Sequence, residues 1–218
     1  MEGLQSFIDF ASGRTGQMID YSIEHLRYVV FVFLTGTAIA VSVGIGVRHR
    51  PLARELALGI SSVFLTLPSL ALFVIFIPVV GIGFWPPFIA LTMYSILPIL
   101  RNTVTGLNGV DQAVLESARG MGLSSRQRLW KIELPLAWPV IITGVRVSVL
   151  LITGIAAIAT LVGGGGLGRF INSGLGRLGL PNGIEEVWLG TILIIAMALV
   201  FDSLFLLIRR ATTSAGIR

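Results

Sequence analysis

The sequence predicts an all-α integral membrane protein with five transmembrane helices. Of the 218 residues, 54% are hydrophobic and only 12% are charged, whereas a soluble domain carries about 25% charged residues. A water-soluble fold cannot hide this much apolar surface, so the bilayer is the expected solvent for most of the chain. The second observation is that most of the charged residues lie between long apolar runs instead of within them.

Five segments are long and apolar enough for spans, each of which takes about 20 residues. The predicted spans are, in order, 28–47, 56–77, 87–100, 139–162 and 187–208. The second and third lie in one uncharged run, and a turn rich in proline and glycine, from Pro78 to Pro87, is predicted to separate them. The third is short and is expected to extend past Arg101. The fourth and fifth each contain one charge, Arg146 and Asp202.

The basic residues predict an N-out/C-in orientation. With the N-terminus outside, the cytoplasmic segments hold eleven Lys and Arg residues and the outer segments hold four, and cytoplasmic loops are enriched in basic residues. This orientation gives an outer N-terminal segment (1–24), a transmembrane domain (25–210) and a cytoplasmic tail (211–218), with the loop at 102–138 in the cytoplasm. The net charge of +5 therefore reflects topology, and no nucleic-acid partner is expected.

The loop at 102–138 is predicted to form two short helices joined by a glycine corner along the membrane surface. Asp111 can cap the first helix, and Gly122 can end it because glycine tolerates the left-handed conformation. Ser124 or Ser125 can cap the second helix, and Pro135 can begin the fourth span. The composition alone also fits an amphipathic interfacial loop of no particular function.

The spacing of particular residues in this loop carries more information than its composition. In order, the pattern consists of Glu116, Ser117, Ala118, Gly122, Ile132, Leu134 and Pro135. It resembles the EAA loop of ABC-importer permeases, which reads Glu-Ala-Ala, three residues, Gly, nine residues, Ile-x-Leu-Pro; only Ser117 departs from it. The resemblance implies a type I ABC importer fold in which this loop is the coupling helix that docks on an ATPase.

The resemblance also implies roles for individual residues of the loop. Ala118 would allow close approach, and Gly122 would make the turn. Glu116 is expected to pair with Arg119 or Arg126. Leu123, Leu129 and Trp130 are candidate apolar contacts with the ATPase, and each could equally pack against the permease's own spans.

Four further stretches are similar to the osmoprotectant permeases, which move glycine betaine, choline and carnitine. They are residues 67–72, 97–103, 118–122 and 163–168. Methionine-importer permeases share the length, the five spans and a similar glycine segment, so a methionine-type importer is the alternative. A membrane scaffold is a third reading, and a membrane enzyme is disfavoured because no catalytic set of residues is visible.

The resemblance also implies an assembly in the bacterial inner membrane. The partners would be two copies of an ATPase subunit, a second permease that is identical or paralogous, and a separate substrate-binding protein. ATP and Mg²⁺ would be bound by the ATPase, with no cofactor or metal in this chain. The sequence has no cysteine, and the substrate-contacting residues of the pore are not identified.

Two other groups of residues are candidate sites. Gly163, Gly164, Gly165, Gly166 and Gly168 follow the fourth span; they form either an outer gate or docking surface for a binding protein, or a plain flexible loop. Arg146 and Asp202 lie at similar depth in the fourth and fifth spans, and an unpaired charge there is costly. They are therefore expected to form an intramembrane ion pair. Trp85, Trp138 and Trp188 at the span ends are assigned to an interfacial belt, with an aromatic cage for a quaternary ammonium group as the alternative.

Overall fold

The computed structural model describes residues 2–213, with side chains from residue 5 onward. All regular elements within these residues are helical, in agreement with the predicted all-α class. The α-helices are α1 (Glu2–Ser12), α2 (Thr15–Val47), α3 (Pro51–Thr66), α4 (Ser69–Val80), α5 (Trp85–Asn108), α6 (Gln112–Gly120), α7 (Ser125–Arg128), α8 (Leu134–Ile155), α9 (Gly168–Gly176) and α10 (Gly183–Thr212). A π-helical turn, Leu129–Glu133, precedes α8, and a 3₁₀ segment, Ala156–Val162, follows it.

Four continuous helical segments are long and apolar enough to cross a membrane, and the bent pair α3 and α4 makes a fifth if it counts as one span. The third predicted span does extend past Arg101, since α5 continues to Asn108. The first predicted span forms only the C-terminal part of α2, which already begins at Thr15. Residues 214–218 of the predicted tail lie outside the described residues.

The second predicted span is not one straight helix, which corrects the sequence prediction. The chain bends by 101° between α3 and α4, at Leu67 and Pro68. Proline disfavours helical backbone in the preceding residue, and Leu67 is accordingly extended, with ψ 139°. The hydroxyl of Tyr94 on α5 donates a 2.6 Å hydrogen bond to the Leu67 carbonyl, which the break frees.

The turn between the second and third predicted spans is shorter than the sequence suggested. Pro78 lies inside α4, and Pro86 and Pro87 lie in the first turn of α5. Only residues 81–84 connect the two helices. Proline is compatible with the first turn of a helix because the amide there has no helical acceptor.

At the centre of the fold, α5 packs along α8 on one side and α2 on the other, and α10 lies against α8 and α9. Small residues allow the central helices to approach closely. A Cβ on Gly144 of α8 would lie 2.7 Å from the Pro98 carbonyl of α5, and one on Gly44 of α2 would lie 2.6 Å from Thr103. Close contact at small residues stabilises helix pairs in membranes, where burial of apolar surface gives little gain.

Candidate functional site

The predicted first helix of the loop is present as α6. The side chain of Asp111 accepts a 2.8 Å hydrogen bond from the Ala113 amide, so Asp111 is the N-cap that the sequence predicts. Ser117 turns its hydroxyl back to the Ala113 carbonyl at 2.8 Å. The polar side chain that replaces alanine in the motif is therefore satisfied within its own helix.

The glycine corner after α6 is a Schellman motif. The Leu123 amide donates to the Ala118 carbonyl at 3.1 Å, and the Gly122 amide donates to the Arg119 carbonyl at 2.9 Å. Gly122 has φ +79°, a conformation that a residue with a Cβ adopts only at a cost. The motif thus needs glycine at this position to end α6 and redirect the chain.

The second helix of the loop differs from the prediction because it is not separate from the fourth span. It begins with a capping box, in which Ser124 accepts from the Gln127 amide and Gln127 accepts from the Ser124 amide. After α7, the π-helical turn leads directly into α8, with Pro135 in its first turn. The corner at Gly122 is therefore connected to the fourth span by continuous helix.

The residues of the motif differ in how far they are exposed to solvent. Glu116, Ser117, Gly122 and Pro135 are exposed; Leu123, Ile132 and Leu134 are half-buried; Ala118 is fully buried. The predicted pairing of Glu116 with Arg119 or Arg126 is wrong, since the described residues contain no salt bridge to Glu116. Glu116 is instead exposed to solvent.

Two of the candidate apolar contacts with an ATPase, Leu129 and Trp130, differ in their exposure. Leu129 is buried in a cluster with Leu107, Ala137 and Ile141, so it anchors the loop to α5 and α8. Trp130 is exposed and lines a large apolar groove between α2, α8 and α10. Of the two, only Trp130 remains available to a partner surface.

A buried salt bridge at the base of the loop was missed by the sequence analysis. Glu133, the variable residue in the Ile-x-Leu-Pro pattern, accepts a 3.2 Å hydrogen bond from Nε of Arg48. The Glu133 side chain is 6% exposed and that of Arg48 is 15% exposed. Arg48 also donates to the Ile45 carbonyl at 2.7 Å. The pair connects the C-terminal end of α2 to the π-helical turn, 85 residues away in sequence.

The predicted ion pair between Arg146 and Asp202 is present in the structure. Nε of Arg146 donates to Oδ1 of Asp202 at 2.6 Å, and an Nη donates to Oδ2 at 2.9 Å. This two-point geometry is the strongest form of an arginine–carboxylate pair. It joins α8 to α10 where both helices are otherwise apolar.

The glycine loop after the 3₁₀ segment is closely packed instead of loose. Gly163 and Gly166 have φ +84° and +97°. The Gly83 amide, from the turn before α5, donates to the Val162 carbonyl at 3.0 Å. A Cβ on Gly168 would collide with the Ala157 carbonyl. The segment is therefore a packed loop with fixed contacts, and its role as an outer gate or docking surface stays a prediction.

Glu24 on α2 holds the glycine loop in place, which the sequence analysis did not anticipate. Its carboxylate accepts from the Gly166 amide at 3.0 Å and from Arg169 at 2.9 Å. The neighbouring His25 is buried and contacts the Thr153 carbonyl through Nε2 at 3.1 Å. These contacts link the N-terminal half of α2 to the end of the fourth span.

The tryptophans at the span ends are on the surface. Trp85 is 56% exposed and Trp188 is 58% exposed, whereas Trp138 donates its indole N–H to the Thr212 hydroxyl at 2.7 Å. These positions, near the ends of α5, α8 and α10, fit an interfacial belt.

Proteins of known role resemble the chain over almost its whole length. It is 35% identical to the choline transport system permease protein OpuBB of Bacillus subtilis, covering 99% of this chain and 97% of that protein. It is 36% identical to the osmoprotectant import permease protein OsmW of Salmonella typhimurium, and the alignment covers 97% of this chain and 99% of that protein.

The fold is also that of a known transporter subunit. A chain from the inward-facing MetNI methionine ABC transporter aligns with a TM-score of 0.78 and 24% identity, over 90% of this chain and 96% of that one. At this identity the match concerns the fold alone. The profile of one family, the binding-protein-dependent transport system inner membrane component, matches residues 36–214. The chain therefore belongs to this family of multi-pass permeases of the bacterial inner membrane.

Proposed function

We propose that this chain is the permease subunit of an ATP-driven importer for osmoprotectants, the quaternary ammonium solutes that include glycine betaine, choline and carnitine. The observation that carries the proposal is the α6–α7 corner. Its exposed surface, rigid glycine turn and motif spacing suit a docking site for a separate ATPase. The relatives named for choline and osmoprotectant transport support the substrate class.

In this proposal the N-terminus is outside and the corner is cytoplasmic. The excess of basic residues at the predicted inner segments supports this orientation, as does the need for the corner to reach an ATPase. The division into an outer segment at 1–24, a transmembrane domain at 25–210 with the coupling loop at 102–138, and an inner tail at 211–218 follows from it.

The assembly we propose has two permeases, two ATPase subunits and one separate binding protein. The second permease is either a copy of this chain or a paralogue. ATP and Mg²⁺ bind to the ATPase, and this chain contributes no cofactor or metal ligand of its own. Nucleic acid has no role in it.

Two routes would transmit force from the corner to the membrane helices. The first is the continuous helix from α7 through the π-helical turn to α8. The second is the Arg48–Glu133 salt bridge, which attaches the end of α2 to the same turn. Movement of the corner by the ATPase would therefore displace α8 and α2 together.

The test is transport by the reconstituted system. The permease is coexpressed with candidate ATPase and binding-protein subunits from the same genome, and uptake of radiolabelled glycine betaine, choline, carnitine and methionine is measured in proteoliposomes. We expect uptake of at least one quaternary ammonium solute, and no uptake with an ATPase variant that cannot hydrolyse ATP. Uptake of methionine alone would favour the methionine-type alternative. Membrane insertion with no ATPase association and no uptake would favour a scaffold.

A further inference from the structure

A cavity of about 650 Å³ lies between the N-terminal half of α2, the turn before α5 and the glycine loop. Cavities of this size hold small molecules in many proteins. Along α2 the lining residues recur at intervals of three or four positions, so they share one helix face. Apart from the predicted gate or docking role of the glycine loop, none of the roles assigned above uses this cavity.

Aromatic rings form one wall of the cavity. The rings of Tyr28 and Phe84 meet edge to face with centroids 4.9 Å apart, and the Tyr28 hydroxyl donates to the Phe84 carbonyl at 2.8 Å. Phe31 lies one turn further along α2, and its side chain is 59% exposed. Aromatic rings next to open space attract a quaternary ammonium group by cation–π interaction.

Charges of both signs line the same cavity. Glu24 is held by the Gly166 amide and by Arg169. Asp20 and Arg27 also line it, and neither forms a salt bridge within the part of the chain that the structure describes. They lie two helical turns apart, about 10 Å along the axis. The cavity therefore offers a carboxylate for a cation and a guanidinium for an anion.

The opposite wall has no side chains, because it consists of Gly163, Gly164 and Gly165. A Cβ on Gly165 would collide with the Glu24 carboxylate. Glycine at position 165 thus leaves Glu24 in its position beside the cavity. A side chain at Gly165 would displace the carboxylate.

We propose that this cavity is a binding site in the permease for the transported solute itself, with the class of ligand being small quaternary ammonium solutes, both zwitterions and cations. The trimethylammonium group lies against Phe31 and Phe84 near the carboxylates, and the ligand's own carboxylate pairs with Arg27. The inference rests on the proposed function. It adds that the permease, in addition to the binding protein, recognises the solute. The permease contacts both the trimethylammonium group and the carboxylate.

The experiment measures binding to the permease–ATPase complex without its binding protein. The complex is placed in nanodiscs of phosphatidylglycerol and phosphatidylethanolamine, so that no lipid carries a trimethylammonium group. Saturation-transfer NMR on the trimethylammonium protons then reports binding of glycine betaine and of choline. Copurification of the ATPase shows that each variant is assembled.

We expect saturable, millimolar binding of both solutes to the wild-type complex. Phe31→Ala should weaken both about tenfold, since a cation–π contact of this kind contributes about 1–2 kcal/mol. Arg27→Gln should weaken glycine betaine several-fold and leave choline, which has no carboxylate, unchanged. Trp188→Ala removes an exposed aromatic ring outside the cavity and should change neither.

Two results would overturn the site. One is the absence of saturable binding up to about 0.1 M solute, and the other is an equal effect of Arg27→Gln on both solutes. A second measurement, of uptake by the same wild-type complex with its binding protein, tests the proposed function separately from the proposed site. If quaternary ammonium uptake persists while the complex alone binds nothing, the importer assignment holds and the permease site does not exist.

Discussion

Arg48 and Glu133 form a buried salt bridge that joins the end of α2 to the π-helical turn at the base of α8, with Nε and Oε2 3.2 Å apart. Glu133 occupies the one position of the Ile-x-Leu-Pro pattern that the motif leaves open. The pair therefore places a charge contact at the point where the exposed corner meets the membrane helices.

Breaking this pair should destabilise the protein and weaken coupling. Removing one partner of a buried pair leaves an unpaired charge, which costs about 3–5 kcal/mol. We expect Arg48→Ala to lower the melting temperature and the uptake per ATP hydrolysed, and the double variant Arg48→Met with Glu133→Leu to recover the melting temperature. Arg50→Ala, at an exposed neighbouring position, is the control. Unchanged stability in Arg48→Ala would contradict a structural role for the pair.

The corner should tolerate a side chain at Gly120 and should not tolerate one at Gly122. At Gly122, with φ +79°, a Cβ costs about 1–2 kcal/mol. At Gly120, the last residue of α6, a Cβ meets nothing within 4 Å. We expect Gly122→Ala to reduce solute uptake and ATPase copurification, and Gly122→Asp to abolish both while insertion is retained.

The matched variant Gly120→Ala should behave like the wild type or be slightly more stable, because alanine is the better helix former. Uptake and copurification are measured for all three variants in parallel. Normal uptake in Gly122→Asp would remove this corner from the mechanism.

Exchanging the charges of Arg146 and Asp202 tests whether transport needs the ion pair between α8 and α10. Arg146→Ala and Asp202→Ala should each reduce transport, because each leaves an unpaired charge within an apolar helix. The exchange of Arg146→Asp with Asp202→Arg should restore part of the uptake, since the two-point contact can re-form in the opposite direction. A double variant no more active than either single variant would show that the pair is not an interaction that transport needs.

The proposed orientation is open to direct measurement. The natural sequence contains no cysteine, so single cysteines can be introduced without background. Cysteines replacing Ser12 and Ser173 should react with an impermeant thiol reagent added to intact spheroplasts, and one replacing Ser125 should react only after lysis. All three side chains are exposed. Labelling at Ser125 from outside would invert the topology and separate the corner from any cytoplasmic ATPase.

The features that sequence reasoning predicted are those governed by local chemistry or by hydropathy. The cap at Asp111, the corner at Gly122 and the start of α8 near Pro135 depend on residues within one or two turns. The Arg146–Asp202 pair could be predicted because charges are rare in apolar helices, which leaves few choices of partner.

The features that were missed depend on residues distant in sequence. Glu133 lies at the open position of the motif, and only the folded position of Arg48, 85 residues earlier, shows that it is buried and paired. Glu24 likewise gains its role from the glycine loop 142 residues away. The pairing of Glu116 was mistaken for a related reason: nearness in sequence suggested Arg119, while the geometry leaves the carboxylate in solvent.

The bend between α3 and α4 has a consequence for how the protein is made. The Leu67 carbonyl at the bend is satisfied by Tyr94, and a carbonyl without a partner is costly in hydrocarbon. Tyr94 is synthesised after the whole of α3 and α4, so during synthesis the bent form has no donor for that carbonyl. A nascent chain that stops before Tyr94 should therefore keep the break at Pro68, with no hydrogen bond to fix the angle between the two halves of the 56–77 segment. Its final shape would be acquired only when α5 enters the bilayer beside it.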